Sequence, residues 1–165
     1  MVEVKFRKAE KKDTEKVLFF IKELAMYEIM ADQVEATPEI LEKNLFGPQP
    51  RAEVIFATES DREIGFVLFF HNFSTFLGKP GIYIEDLFVL PEYRGKGVGK
   101  ALIAYIAGLA VERDCGRIEW WVLNWNPARR LYDGIGAESM DEWVVYRLSG
   151  DNLHKMAKRL PEIAG

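Results

Sequence analysis

Two adjacent carboxylates, Glu85 and Asp86, stand just upstream of a glycine-rich run, Arg94-Gly95-Lys96-Gly97-Val98-Gly99-Lys100. A carboxylate can hold an ammonium group and take a proton from it, the work of a general base. Three glycines within five residues let the backbone approach a ligand closely and enter conformations other residues avoid. An apolar-periodic helix follows at once, so its unpaired N–H groups and positive dipole end point at the same place. That combination is an anion cradle for a phosphate or pyrophosphate, with acid–base groups a few residues away. Strand alternation places the Glu85 and Asp86 side chains on opposite faces unless a bulge turns one of them.

Which phosphate loop this is follows by elimination. A Walker loop needs Gly, four residues, then Gly-Lys-Ser/Thr, but Arg94 stands at the first glycine position and Ala101 replaces the hydroxyl. A dinucleotide fingerprint needs Gly-x-Gly-x-x-Gly, and Lys100 occupies its third glycine position. What remains is Arg-x-x-Gly-x-Gly (Arg94, Gly97, Gly99) after a Pro91-Glu92-Tyr93 turn. It resembles the acyl-CoA pyrophosphate loop of the Gcn5-related N-acetyltransferase superfamily. Taken alone, these six residues could also be a glycine-rich turn capping a helix.

The elements that must position these residues are legible from periodicity and punctuation. Strands are expected at Val2–Arg7, Ala52–Thr58, Glu63–Asn72, Ile82–Leu90, Arg117–Leu123 and Glu142–Leu148. Ser60-Asp61-Arg62 is expected to join the second and third as a tight hairpin. Helices are expected after an Asp13 or Thr14 cap, from Thr37-Pro38-Glu39 to Gly47-Pro48, over Gly97–Arg113, over Asn126–Asp133, and from an Asp151 cap to about Arg159. The order is β-α-α-β-β-β-α-β-α-β-α. The crossover helix makes the fourth and fifth strands parallel if they are neighbours. The fold class is therefore α/β with a mixed sheet, in one domain spanning residues 1–165.

Composition limits the functional classes. The chain has 165 residues, 48% of them hydrophobic, enough for a core of its own. A net charge of −4 argues against nucleic acid and is compatible with cationic partners. No run approaches the ~20 apolar residues of a membrane span, and the charged opening residues are not those of a signal peptide. Cys115 is the single cysteine and suits a reducing cytoplasm. His71 and His154 lack a ligand cluster, so no metal site is expected.

The superfamily resemblance extends along essentially the whole chain and implies acetyl-CoA as co-substrate. In that fold the fourth and fifth strands splay apart, typically from a bulge, which would sit around Glu85-Asp86. Backbone groups of Leu87, Phe88 and Val89 would then pair with the pantetheine arm and acetyl carbonyl. Arg94, Gly95, Lys96, Gly97, Val98, Gly99 and Lys100 would line the pyrophosphate. The Ala128-Arg129-Arg130-Leu131-Tyr132 block before Gly134, Gly136 and Ala137 resembles the family's Asn-x-x-Ala-x-x-Leu-Tyr…Gly-Ala block. It implies Tyr132 as general acid toward the CoA thiolate, while a core tyrosine on an amphipathic helix is the alternative. Asn126 lies one residue closer to that alanine than the pattern has it, leaving Asn126 or Asn124 as the CoA contact. Glu85 is the expected base, although both carboxylates could instead be substrate-binding charges.

Ile21-Lys22-Glu23-Leu24-Ala25, Tyr27-Glu28, Asp32-Gln33-Val34, Tyr83-Ile84-Glu85-Asp86 and Trp125-Asn126 are similar to the diamine (spermidine/spermine) acetyltransferase family. Ser74-Thr75, Pro91-Glu92-Tyr93 and Val122-Leu123 are closer to its thialysine-acetylating branch. That resemblance implies substrate contacts from Tyr27, Glu28, Glu85, Asp86, Glu142 and Trp143, and a homodimer whose sites touch both subunits. Ser74 and Phe76 stand where the polyamine enzymes carry an acid and a tryptophan, which favours shorter amines or lysine-like amino acids. The expected function is N-acetylation of a small cationic amine by direct transfer in a ternary complex, with no acyl-enzyme. A protein lysine or N-terminal acetyltransferase, and a non-catalytic acyl-CoA sensor, are the alternatives.

Overall fold

A computed structural model describes residues 3–161 of the chain. Its elements are β1 (Lys5–Lys8), α1 (Thr14–Tyr27), α2 (Pro38–Phe46), β2 (Glu53–Glu59), β3 (Arg62–Ser74), β4 (Lys79–Val89), α3 (Val98–Glu112), β5 (Ile118–Trp120), α4 (Arg129–Gly134) and α5 (Gly150–Ala157). The chain forms two compact units, Met1–Trp125 and Asn126–Gly165.

The first unit carries an open five-stranded sheet in the order β1-β2-β3-β4-β5. β1 to β4 pair antiparallel in succession. β4 and β5 pair in parallel, as a crossover through α3 requires. Ser60 and Asp61 both take positive φ, 47° and 64°, the two-residue turn whose twist suits the β2–β3 hairpin. Thr37 caps α2, its Oγ1 accepting from the Ile40 N–H at 3.2 Å, with Pro38 in the first helical position.

The two faces of the sheet have different cores. On one, Ile55, Val67, Phe69, Ile82, Ile84 and Val89 pack with Val98, Leu102 and Ile106 of α3. On the other, Phe56, Phe66, Leu68 and Phe88 pack with Val17 and Phe20 of α1 and Leu45 of α2. Asp13 precedes α1 but does not cap it with its side chain. Its carboxylate receives both Arg7 guanidinium nitrogens at 2.8 Å and the Glu10 backbone N–H at 2.8 Å. These bonds hold the buried Asp13 carboxyl down at about 2. Glu63 joins Arg7 and Lys16 to the same network.

Several expected boundaries move. Lys5–Lys8 replaces the expected first strand from Val2, whose own position lies outside the described residues. The fifth strand shrinks to Ile118–Trp120, because its ladder with β4 covers only three pairs. The expected sixth strand does not form. Residues 142–148 belong to no helix or strand, and Trp143, Val144, Val145, Tyr146 and Leu148 are exposed. Their apolar content alone suggested a strand, but a strand also needs a ladder partner. The last helix starts at Gly150 after Ser149, so Asp151 sits in its first turn rather than at its cap.

Candidate active site

β4 is the element on which the site is built. Its register against β3 runs Leu68↔Asp86 and then Phe69↔Ile84, so Glu85 is an extra residue without a partner. This is a β-bulge, located where the superfamily resemblance expects one. An extra residue inverts the side-chain alternation. Ile84 faces the α3 core, yet Asp86 shares the α1 face with Phe88, two residues further on. Without the bulge Asp86 would point into the apolar packing of α3. With it, Asp86 lies within electrostatic reach of both Glu85 and Glu28.

Glu28 comes from the end of α1. Met30 N–H bonds the Ala25 carbonyl at 2.8 Å, and Glu28 N–H bonds the Leu24 carbonyl at 2.9 Å. Ile29 closes that helix end at φ 59°, a left-handed conformation unfavourable for a β-branched side chain. The preceding Tyr27 ring packs 6.3 Å from Phe88 and 5.7 Å from Trp125. Tyr27 and Glu28 are therefore anchored beside β4.

The electrostatics of the three carboxylates follow from position. Glu85 is exposed and Asp86 is half-buried. Burial, then the Glu85 and Glu28 charges, push the Asp86 carboxyl up to about 7. Burial raises Glu28 too. Elsewhere the chain neutralises its buried acids with cations, as in Arg7–Asp13 and Arg113–Glu53. Among the described residues Glu28, Glu85 and Asp86 have no such ion pair. Three carboxylates near one another without a cation make a receptor for one.

Beyond the bulge β4 and β5 part. Their ladder ends at Ile84↔Trp120, while β4 continues to Val89. Leu87, Phe88 and Val89 are therefore paired with β3 on one side only. An extended acyl-pantetheine arm fits this unpaired edge as a substitute strand. The loop after β4 fits a pyrophosphate. Gly95 and Gly97 take φ of 72° and 85°, and a Cβ on either would meet nothing within 4 Å. The glycines are needed there for backbone conformation and not for space. Gly97 is the N-cap of α3, Val98 is buried as its anchor, and Lys96 and Lys100 are exposed. The N–H groups of Val98, Gly99 and Lys100 begin the helix and lack intrahelical carbonyl partners.

Arg94 is anchored at the start of this loop. Its Nε donates to the Val89 carbonyl at 3.0 Å. Its guanidinium lies 4.7 Å from the Tyr27 ring centre and 5.0 Å from that of Phe88. It ties the loop to the Tyr27 and Phe88 rings.

The remaining expected residues belong to the second unit. Asn126 Oδ1 accepts from the Ala128 N–H at 2.9 Å, shaping the entry to α4. Tyr132 is half-buried in α4, its carbonyl accepting from Ala137 N–H at 3.1 Å past the Gly134–Gly136 stop. Glu142 and Trp143 are exposed in the segment that follows.

Sequence reasoning did not single out Tyr83 and Trp121 as site residues. Tyr83 stacks on Phe70 at 5.1 Å and meets Trp121 edge-on at 5.8 Å. Burial and the Glu85 charge raise the Tyr83 hydroxyl. The available signal was an aromatic pair, Trp120-Trp121, inside the strand expected over Arg117–Leu123.

Known proteins share this arrangement. The model of the acetyltransferase (GNAT) family matches residues 21–137. A thialysine N-epsilon-acetyltransferase of Bos taurus is 34% identical over 95% of this chain and 99% of its own. An L-ornithine N5-acetyltransferase of Arabidopsis thaliana is 47% identical over 95 residues, 57% of this chain and 42% of its own. An integron cassette protein from the mobile metagenome of V. cholerae superposes with a TM-score of 0.78 at 30% identity, covering 96% of this chain and 99% of its own. By the family match over most of its length, by relatives that are themselves N-acetyltransferases, and by a splayed β4–β5 pair above a glycine loop, this chain belongs to the GNAT family and is an N-acetyltransferase.

Proposed function

We propose that the protein moves the acetyl group of acetyl-CoA to the primary amine of a small cationic metabolite, a diamine or a lysine-like amino acid. The observation that carries this reading is the trio Glu28, Glu85 and Asp86. Among the described residues these carboxylates have no ion-pair partner, lie on the α1 side of the splay, and are flanked by the Tyr27 ring. The relatives named for thialysine and L-ornithine support an ω-amino acid in particular.

Acetyl-CoA, when bound, supplies a thioester carbonyl that a neutral amine can attack. The chain's part is positioning, deprotonation and protonation of the leaving group. Glu28 and Glu85 hold the incoming ammonium. Asp86, in place of the Glu85 expected from the sequence, takes a proton from it, since a half-buried carboxyl titrating near 7 is matched to that exchange at neutral pH. As the new C–N bond forms and the C–S bond breaks, backbone N–H groups of the unpaired β4 edge face the developing oxyanion. Tyr132 donates a proton to the departing sulfur. Arg94, Gly95, Lys96, Gly97, Val98, Gly99 and Lys100 hold the pyrophosphate, and Asn126 or Asn124 contacts the pantetheine arm. Glu142 and Trp143 contact the amine. Cys115 is half-buried against the α3 core and has no part in the transfer. The exposed apolar segment 142–148 supports a homodimer. No helix among the described residues is long and apolar enough to cross a membrane, and a cytoplasmic site of action suits a single free thiol.

Thiol release from acetyl-CoA, followed with spermidine, putrescine, lysine, thialysine, ornithine and a basic peptide, tests the reading. Turnover is expected on a small amine, strongest with an ω-amino acid. Tyr132→Phe should lower kcat by about 10–100-fold and leave acetyl-CoA binding nearly unchanged. Turnover confined to the peptide would overturn the small-amine assignment.

A further inference from the structure

Trp121 is exposed at 60%, just past the end of the edge strand β5. Ile84 pairs with Trp120, so Trp121 is the first residue of the β5 strand line beyond the ladder, at the mouth of the splay. Ile118 and Trp120 pack toward the α3 core, which turns the alternate positions, Glu119 and Trp121, to the opposite face. That is the face of Asp86, Phe88 and Phe70. Tyr83 holds the indole edge-on at 5.8 Å and is itself stacked on Phe70. Tyr83 also feels the charges of Glu85 and Asp86, so the aromatic pair and the carboxylates border one another. Glu119, the next acid along, is already engaged, by Arg117 at 3.0 Å and Asn72 at 3.1 Å.

We infer that Trp121, braced by Tyr83, is a specificity-determining residue that holds the second cationic group of a dibasic acceptor. This rests on the small-amine reading above and extends it. With Glu28, Glu85 and Asp86 serving the reacting ammonium and Glu119 already paired, a second cation on the acceptor needs a separate contact, and the exposed Trp121 ring offers one on this face. Trp presents the strongest ring face for a cation, and its partial exposure here leaves it accessible to one. The acceptor class this selects is an amine whose far end carries a second positive charge, such as an α,ω-diamine or an ω-amino acid with a free α-ammonium.

The test compares 1,5-diaminopentane with n-pentylamine, which has the same chain and lacks the second charge. Wild type, Trp121→Phe and Trp121→Leu are assayed by thiol release, with acetyl-CoA KM and Tm measured for each. Trp121→Leu should lower kcat/KM for the diamine by about threefold to thirtyfold, and that for pentylamine by less than about twofold. Trp121→Phe should recover part of the loss. If the leucine variant is unstable, the Trp–Phe difference on the two amines carries the same comparison. Equal losses on both amines would reduce Trp121 to packing and overturn the proposal. So would no loss on either, with the small-amine activity left standing. A wild type inactive toward all amines in the wider panel would remove the small-amine reading and this inference together.

Discussion

At the residue scale the decisive contrast is between Glu85 and Asp86, neighbours in sequence with different environments. Glu85 is exposed at the bulge, whereas Asp86 is half-buried and raised to about 7. A half-buried carboxyl raised to this range is matched to proton transfer, and its exposed neighbour is placed to face the ammonium. The rate at low amine concentration should therefore rise with pH through about 7 before the amine's own ionisation takes over. In Asp86→Asn this limb should vanish. In Glu85→Gln it should move to lower pH, because removing a neighbouring negative charge makes Asp86 easier to ionise. A pH–rate profile of Asp86→Asn that keeps the limb would assign the base elsewhere. The same group affects stability. Its folded pKa lies above the unfolded value, so between about pH 4 and 7 the folded chain keeps a proton that the unfolded chain has released. Stability then falls as pH rises across that window, by on the order of 2–4 kcal/mol in full. Asp86→Asn should lose this dependence and melt at a higher temperature than wild type at pH 8.

At the scale of elements, two local departures from ideal geometry place the carboxylates. The bulge in β4 turns Asp86 from the α3 face to the α1 face. The left-handed Ile29 stops α1 directly after Glu28. Ile29 is 86% exposed, so its conformation is not compensated by packing of the side chain. Ile29→Gly should accordingly raise stability by about 1 kcal/mol, read as an increase in Tm. The amine KM should change little, since Glu28 keeps its position. A loss of stability would show that the isoleucine side chain contributes more than its backbone costs. A raised amine KM at unchanged kcat would show that the stiffer residue holds Glu28 in place.

At the scale of the whole molecule, segment 142–148 presents a run of exposed apolar residues. Trp143, Val144, Val145, Tyr146 and Leu148 lie within seven residues, and such contiguous exposure marks an interaction surface. A second copy of the chain is the occupant we expect. Sedimentation should give twice the 19.0 kDa chain mass. Val145→Asp should shift the protein toward monomer and lower turnover, because Glu142 and Trp143 are proposed to contact the amine from the same segment. A wild type that sediments as a monomer would leave this surface to another partner.

Much of the site was legible without a structure because its determinants are local. Gly95 and Gly97 adopt the positive φ that their lack of a side chain permits, and α3 begins where the glycines end. Thr37-Pro38 starts a helix through bonds within four residues. Two-residue turns, caps and alternation act over similar distances, so strand and helix identities followed from the residues themselves. What sequence could not supply depended on partners far away in the chain. The facing of Asp86 is set by how β4 pairs with Leu68 and Phe69 of β3, and alternation alone left it open. Asp13 stands at the N-cap position of α1 as expected, but its carboxylate goes to Arg7 and not to the helix N–H groups. The segment 142–148 has the composition of a strand but no ladder, because strand formation needs a neighbour as well as a pattern. Composition and local spacing thus determined the loop and the helices, and the resemblance of the motifs to a known family gave the chemistry. Long-range pairing alone decided which carboxylate is buried, which is exposed, and where Trp121 stands beside them.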